Sequence, residues 1–241
     1  MSHTLELPVM QPRRSQIHGR GRRRRRRGGT GTNLLRWVGW AFMFAGAVVL
    51  LYLVYSLLFT NLQTEAAQAE LGEQWQQQLD QVDPAPAPAP DTPPAPPPAP
   101  GDAVAMLEFA RPGSAEPLVS ADPLFVVQGV AVEDLKRGPG SYPDTAAPGA
   151  PGNFAVAGHR TTYGAPFFHL DQLAPGDEIF VTDRTGVRYT YRVAQQRVVS
   201  PFEVSVLQPD PLGTGRPTLT LTTCHPRFSA AQRLIVFAEL V

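Results

Sequence analysis

Two hydrophobic patterns divide the chain. From Trp37 to Phe59, WVGWAFMFAGAVVLLYLVYSLLF, there is no charged residue in 23 positions. A helix of that length rises about 35 Å, enough to cross a bilayer core of roughly 30 Å. Trp37, Trp40, Tyr52 and Tyr55 sit towards its ends, where interfacial aromatics anchor a spanning helix. Ala67-Gln68-Ala69 resembles a signal-peptidase site, but signal cores are about 7–15 residues long, so an uncleaved anchor is expected.

The second pattern begins at residue 102. Short runs rich in Val, Leu, Ile, Phe, Thr and Tyr, separated by Gly, Pro and Asp, predict strands over 104–110, 123–130, 153–158, 178–182, 187–199, 217–224 and 233–241. Asp183-Arg184-Thr185-Gly186 reads as a hairpin turn, and single helical turns are expected near 132–137, 167–173 and 202–207. Many short strands at this spacing imply an all-β sandwich or barrel. Between the two patterns lie a polar stretch, 60–82, rich in Ala, Gln and Glu, and a segment, 84–100, that holds ten of the 26 prolines. The first predicts a polar helix with a thin apolar stripe. The second predicts an extended polyproline spacer of roughly 50 Å that would hold the soluble part away from the membrane.

Charge sharpens this division. The 21 basic and 21 acidic residues cancel overall, yet ten basic residues lie in the first 36 positions against Glu6 alone, six of them consecutive from Arg22 to Arg27. An arginine run beside a spanning segment acts as a topology signal, which leaves no need for a nucleic-acid partner; anionic lipid of the inner leaflet is its natural contact. The expected organisation is therefore a cytoplasmic basic tail (1–36), a single transmembrane helix (37–59), an extracellular stalk with a Pro-rich linker (60–101) and one soluble domain (102–241). About 140 residues suffice for one core. One cysteine excludes a disulfide framework and any Cys-rich metal site.

That cysteine, Cys224, ends PTLTLTTC, a strand of alternating Thr and Leu. A thiol at a strand terminus is rigidly held yet accessible, and a thiol nucleophile needs a proton partner and a stabiliser for the oxyanion. Of the histidines beyond the anchor, His225 follows Cys224 directly and points to the opposite face, and His169, in FFHLDQL, suits a half-buried structural role. His159 ends the apolar strand NFAVAG much as Cys224 ends its own, and is the preferred partner. Arg233 begins the last strand; a hairpin between 217–224 and 233–241 puts it beside Cys224, while Arg227 sits in the intervening loop and is less firmly held. Arginine keeps its charge and offers several directed donors.

These residues resemble a sortase. TLTTC at 220–224, GHR at 158–160 and the Arg of RLIV at 233–236 match that family's signatures in the family's order, and GHRTTYGAPF with TLTTCHP looks most like class E, found in actinobacteria. The resemblance implies an eight-stranded sortase β-barrel with a few short helices. It implies Cys224 as nucleophile, His159 as acid/base partner and Arg233 at the substrate carbonyl and oxyanion. It further implies cleavage of the Thr–Gly bond of LAxTG- or LPxTG-type C-terminal sorting signals through a thioacyl enzyme, and transfer of secreted proteins to a peptidoglycan precursor amine, diaminopimelate in such organisms. Tyr163 is the candidate for reading the signal, with Thr222 and Thr223 beside the nucleophile as further substrate-binding candidates. No cofactor is implied, and Asp171, Asp177 and Glu178 are too scattered to claim a calcium site. The family pattern is departed from at AMLEFARPG, where an Ile-Pro segment is expected, and at Ser141, where relatives often carry His. The alternatives are a papain-like or wall-lytic cysteine peptidase, in which Cys usually precedes His, and a catalytically silent anchored β-domain that binds wall or a partner. A pilus-type sortase competes with a housekeeping one; the chain's end at Val241, with no second anchor, favours housekeeping.

Overall fold

The computed structural model describes residues 30–81 and 98–241. Most of the basic tail and most of the Pro-rich segment lie outside the described residues. By spatial clustering the chain forms two units, Met1–Val49 and Leu50–Val241. One helix, α1, runs from Thr30 to Gln81. Among the described residues it is the one helix long and apolar enough to cross a membrane.

The soluble part is a closed barrel of eight strands: β1 (Ala103–Ala110), β2 (Leu124–Gln128), β3 (Gly140–Ser141), β4 (Asn153–Ala157), β5 (Glu178–Asp183), β6 (Arg188–Val199), β7 (Thr218–His225) and β8 (Gln232–Leu240). Their order round the barrel is β1-β2-β3-β4-β7-β8-β6-β5. A short helix, α2 (Val132–Arg137), follows β2, and single 3₁₀ turns lie at Leu170–Gln172 and Val204–Leu207. The seven runs expected to be strands are strands. The eighth, β3, is two residues long and has no apolar run to mark it. It is a strand because Gly140 and Ser141 bridge β2 and β4. The AMLEFARPG departure does not disturb closure: β1 pairs with both β2 and β5.

Alternation sorts the strands into two faces. Phe154 and Val156 of β4, Leu219 and Leu221 of β7, and Leu234, Val236 and Ala238 of β8 fill the barrel interior with Leu107, Val126, Ile179, Val181 and Tyr191. The opposite face of β8 is buried too, because the connection from β6 to β7 folds over it: Val206 packs on Ile235 and Phe237, with Leu207 and Leu212 at the margin. Burial on both sides explains why β7 and β8 read as nearly continuous apolar and Thr-rich runs.

The part of α1 beyond residue 60 does not stand away from the barrel. Leu71 and Trp75 are buried, packing with Ala103 and Val127 and with Leu79, Met106 and Phe125. The stripe on this helix is thin in sequence, yet it is completed by large side chains: the Trp75 and Phe125 rings lie 6.0 Å apart, and Gly72 lets the helix approach, since a Cβ there would meet the Phe125 ring at 3.1 Å. Residues 60–81, expected as a polar helix with a thin apolar stripe, thus take part in the barrel's own packing.

Candidate active site

Register brings the chemistry together. β4 and β7 are parallel, with pairs running from Asn153 and Thr218 to Ala157 and Thr222, a constant offset of 65 residues. His159 and Cys224 share that offset, so each lies two residues past the last pair, at the same edge and on the same face. Gly158 N–H extends the ladder by donating to Thr222 O at 3.0 Å. On the other side β8 is antiparallel to β7, and Cys224 lies directly across from Arg233. A half-buried thiol is thus flanked by a histidine position on one strand and an arginine on the other.

The local sequence explains the corner at His159. Gly158 packs beneath Phe167, where a Cβ would come within 2.5 Å of the ring, so the loop after β4 folds back and Phe167 N–H donates to His159 O at 3.1 Å. His159 and Cys224 then line one open cleft of about 350 Å³ with Arg160, Thr162, Phe228 and Ala230. Burial pushes the His159 imidazole below its ordinary value. Its Nδ1 lies 3.4 Å from Thr162 Oγ1, its Nε2 is buried without a hydrogen-bond partner among the described residues, and its ring lies 5.0 Å from that of Tyr163.

The remaining sequence candidates fall in distinct places. The Arg233 guanidinium donates to the carbonyls of Ala230 and Gln232, both at 3.0 Å, holding the turn between β7 and β8. Thr222 shares the face of Cys224 and meets Tyr142 Oη at 3.4 Å. Thr223 faces the other way, with its buried hydroxyl donating to Gly158 O at 2.7 Å, and so ties β7 to the strand that carries His159. His169 is exposed rather than half-buried, its Nδ1 3.0 Å from Gln172 Nε2. Ser141 is buried and within hydrogen-bond distance of Val127 O and Gln128 Oε1. Arg227 is better held than its loop position suggested: it pairs with Asp171 at 2.8 Å and lies over the Phe168 ring.

Two residues escape sequence reasoning. Arg160 is almost wholly buried, its side chain 2% exposed, and its guanidinium reaches Asp171 at 3.0 Å, Cys224 O at 3.3 Å and His225 Nδ1 at 3.1 Å. A guanidinium only donates, so it fixes His225 Nδ1 as an acceptor. Burial alone would raise the Asp171 carboxyl, but the Arg227 hydrogen bond and the charges of Arg160 and Arg227 outweigh it and hold it below its usual value. The only signal was position, directly after the candidate base in Gly158-His159-Arg160. Phe228, 84% exposed at the rim of the cleft with a left-handed backbone (φ 64°), is the second. Asp177 and Glu178 pair with Arg111 and Arg192. Among the described residues no group of three or more His, Cys, Asp or Glu is placed to hold a metal ion.

Comparison with known proteins shows the family and the fold. The family model described as the Sortase domain matches residues 120–241. The chain is 31% identical to Sortase SrtE1 of Streptomyces coelicolor, over 94% of this chain and 63% of that one. It is 32% identical to Sortase SrtE2 of the same organism, over 92% and 87%. It thus spans somewhat under two thirds of the length of the first and most of the second. Among solved structures, sortase E from Streptomyces avermitilis superposes with a TM-score of 0.51 at 38% identity, covering 59% of this chain and 90% of that one.

Proposed function

The chain belongs to the sortase family and is class E-like, and from that premise we propose that it is a membrane-anchored cysteine transpeptidase of the cell wall. Its donors are secreted proteins with LAxTG- or LPxTG-type C-terminal sorting signals. Its acceptor is a peptidoglycan precursor amine, the diaminopimelate side chain. The observation that carries this reading is the shared offset of 65 residues, by which parallel strands deliver His159 and Cys224 to one cleft.

The steps follow from the groups present. As Cys224 Sγ attacks the Thr carbonyl carbon of the signal, its proton passes to His159, which burial keeps neutral and so able to accept it. The negative charge that develops on the carbonyl oxygen is met by Arg233, the residue across from Cys224. That role requires its guanidinium to turn from the carbonyls of Ala230 and Gln232, which an exposed loop permits. Collapse breaks the Thr–Gly C–N bond, His159 returns the proton to the departing Gly amine, and a thioester remains on Cys224. The acceptor amine then attacks, His159 takes its proton, and the thiolate leaves and is reprotonated. Tyr163, against His159, lies where it can read the signal. Thr222 supports the cleft face, and Thr223 holds the two catalytic strands together. The apolar helix anchors the chain, and the basic residues before it place the N-terminus in the cytoplasm and the barrel outside.

The test is the full chain in detergent or nanodiscs with LAxTG and LPxTG peptides, with and without an amine, followed by mass spectrometry. A thioacyl adduct on Cys224 that is absent in Cys224→Ala and passes to the amine is expected. Transfer mainly to water would indicate a peptidase. No adduct from a folded protein whose Cys224 also resists alkylation would indicate a silent β-domain.

A further inference from the structure

Asn61, Thr64 and Gln68 recur at helical spacing on α1, in line with the buried Leu71 and Trp75. Each polar member meets a backbone group of the barrel. Gln68 donates to Phe125 O at 3.0 Å and to Arg137 O at 2.9 Å, and its Oε1 accepts from Phe125 N–H at 2.9 Å. The fit requires Gly138, since a Cβ there would lie 2.2 Å from Gln68 Nε2. Phe125 pairs with β1, whereas on β2 the strand β3 pairs with Val127 and Gln128; Gln68 therefore serves a stretch of β2 that β3 does not reach. Thr64, buried, donates to Lys136 O at 2.8 Å, with Thr60 O at 3.1 Å sharing the same hydroxyl.

The contact nearest the apolar span touches the catalytic loop. Asn61 Oδ1 accepts from Gly164 N–H at 3.1 Å, and Thr64 packs so close that a Cβ on Gly164 would meet it at 3.1 Å. Gly164 is the centre of three consecutive left-handed residues, Tyr163 (φ 50°), Gly164 (φ 70°) and Ala165 (φ 45°). Two of these are not glycine, and such backbone persists only where its surroundings enforce it. The Tyr163 ring lies 5.0 Å from His159, and Lys136 Nζ stands 6.0 Å over the same ring. Two routes therefore lead from the helix to His159: Asn61 through Gly164, and Thr64 through Lys136. Both pass through Tyr163.

We propose that Asn61 and Thr64 are positioning residues of the active site: the helix leaving the membrane holds the Tyr163–Ala165 turn in its strained form and thereby seats Tyr163 against His159. This rests on the reading of His159 as the acid/base. Because Asn61 follows Phe59 by two positions, the same contact ties the catalytic loop to the end of the apolar span, where a flexible stalk would leave it free.

The experiment uses the full chain in nanodiscs and compares wild type with Asn61→Leu, Asn61→Asp and Thr64→Val. Asp keeps the acceptor for Gly164 N–H, Leu removes it, and Val keeps the shape of Thr64 without its hydroxyl. Three readouts are taken: kcat and KM for peptide transfer across pH, the pH profile of Cys224 alkylation by iodoacetamide, and amide hydrogen exchange at Gly164. Expected are a loss of about ten- to a hundredfold in kcat for Asn61→Leu with KM nearly unchanged, a smaller loss in Thr64→Val, and faster Gly164 exchange in both. The acidic limb of the pH profile should move towards higher pH as Tyr163 leaves His159 and its burial is relieved, and Asn61→Asp should match wild type. Wild-type kcat and pH profile in Asn61→Leu, despite faster Gly164 exchange, would overturn the positioning role; so would equal losses in Asn61→Asp and Asn61→Leu. Should Thr64→Val fail to fold, the Leu and Asp pair at 61 still decides. A wild type that neither forms the adduct nor changes its alkylation profile in His159→Ala would instead remove the catalytic reading itself.

Discussion

Replacing Arg160 by Met tests whether the buried guanidinium is the fastener of the catalytic corner. The change keeps most of the side-chain length and removes three polar contacts: Asp171 at 3.0 Å, Cys224 O at 3.3 Å and His225 Nδ1 at 3.1 Å. Breaking a buried ion pair from one side costs about 3–5 kcal/mol when the partner is left unpaired. Asp171 is not left so, because it keeps Arg227 and is 38% exposed. The Arg160 Nε, buried without a hydrogen-bond partner among the described residues, also ceases to be a burden. His225 Nδ1 loses its donor too, but the side chain is half-exposed and can turn to water; what remains is the carbonyl of Cys224 deprived of its donor, at about 1–3 kcal/mol, so a net loss of about 2 kcal/mol is expected. For a domain of this size that lowers Tm by roughly 4–8 °C, measurable by circular dichroism. Acylation of Cys224 by a signal peptide should fall by more than the unfolded fraction explains, since the backbone of the proposed nucleophile is released; a loss of about tenfold or more follows from misplacement alone. Arg160→Met/Asp171→Asn should cost less than the two single changes added, because both break one network. A variant that melts with wild type and acylates at its rate would refute the argument. A Tm loss without extra loss of acylation would confine Arg160 to stability.

Other consequences are simpler to state. Thr223→Val removes the buried hydroxyl bonded to Gly158 O and should destabilise the domain by about 1–3 kcal/mol in urea unfolding, with acylation slowed because the β4 and β7 ends part. Trp75→Ala should cost about 3–5 kcal/mol if the helix beyond residue 60 belongs to the fold; an unchanged urea midpoint would show that it does not. His159, lowered by burial, binds a proton less readily folded than unfolded. Its contribution to stability is therefore undiminished above its ordinary value of about 6.5 and is lost as pH falls below it. His159→Asn should flatten the dependence of Tm on pH below about 6.5, and an identical slope in both proteins would exclude His159 as its source.

The strands were legible because alternation and turn residues report directly on a half-buried sheet, and both motif residues at strand ends could be placed from that pattern. The register was legible only in part. The antiparallel neighbour of Cys224 follows from loop length, since residues 217–224 and 233–241 are adjacent in sequence. The parallel neighbour does not, because β4 and β7 are joined through β5 and β6 and no local signal sets their offset. β3 was illegible for a different reason: Gly140 and Ser141 pair by backbone alone. Arg160 was hidden because a buried arginine looks in sequence like a loop charge, and its meaning depends on Asp171 and the Cys224 carbonyl, both distant along the chain.

The docking face of α1 was the hardest to foresee, and the reason bears on how the enzyme works. Only Leu71, Trp75 and Leu79 among its packed residues are strongly apolar; the same face carries Asn61, Thr64 and Gln68. Hydrophobic periodicity is blind to such a surface, because its energy comes from matching side-chain amides and a hydroxyl to backbone groups that would otherwise need water. A polar face of this kind is also geometrically demanding. An apolar stripe tolerates sliding, whereas Gln68 bonded to both the N–H and the C=O of Phe125 permits one register. With that register set, Asn61 meets Gly164. An apolar contact would have tethered the helix to the barrel in more than one register; this one fixes a single register between Asn61–Trp75 of α1 and the loop after His159.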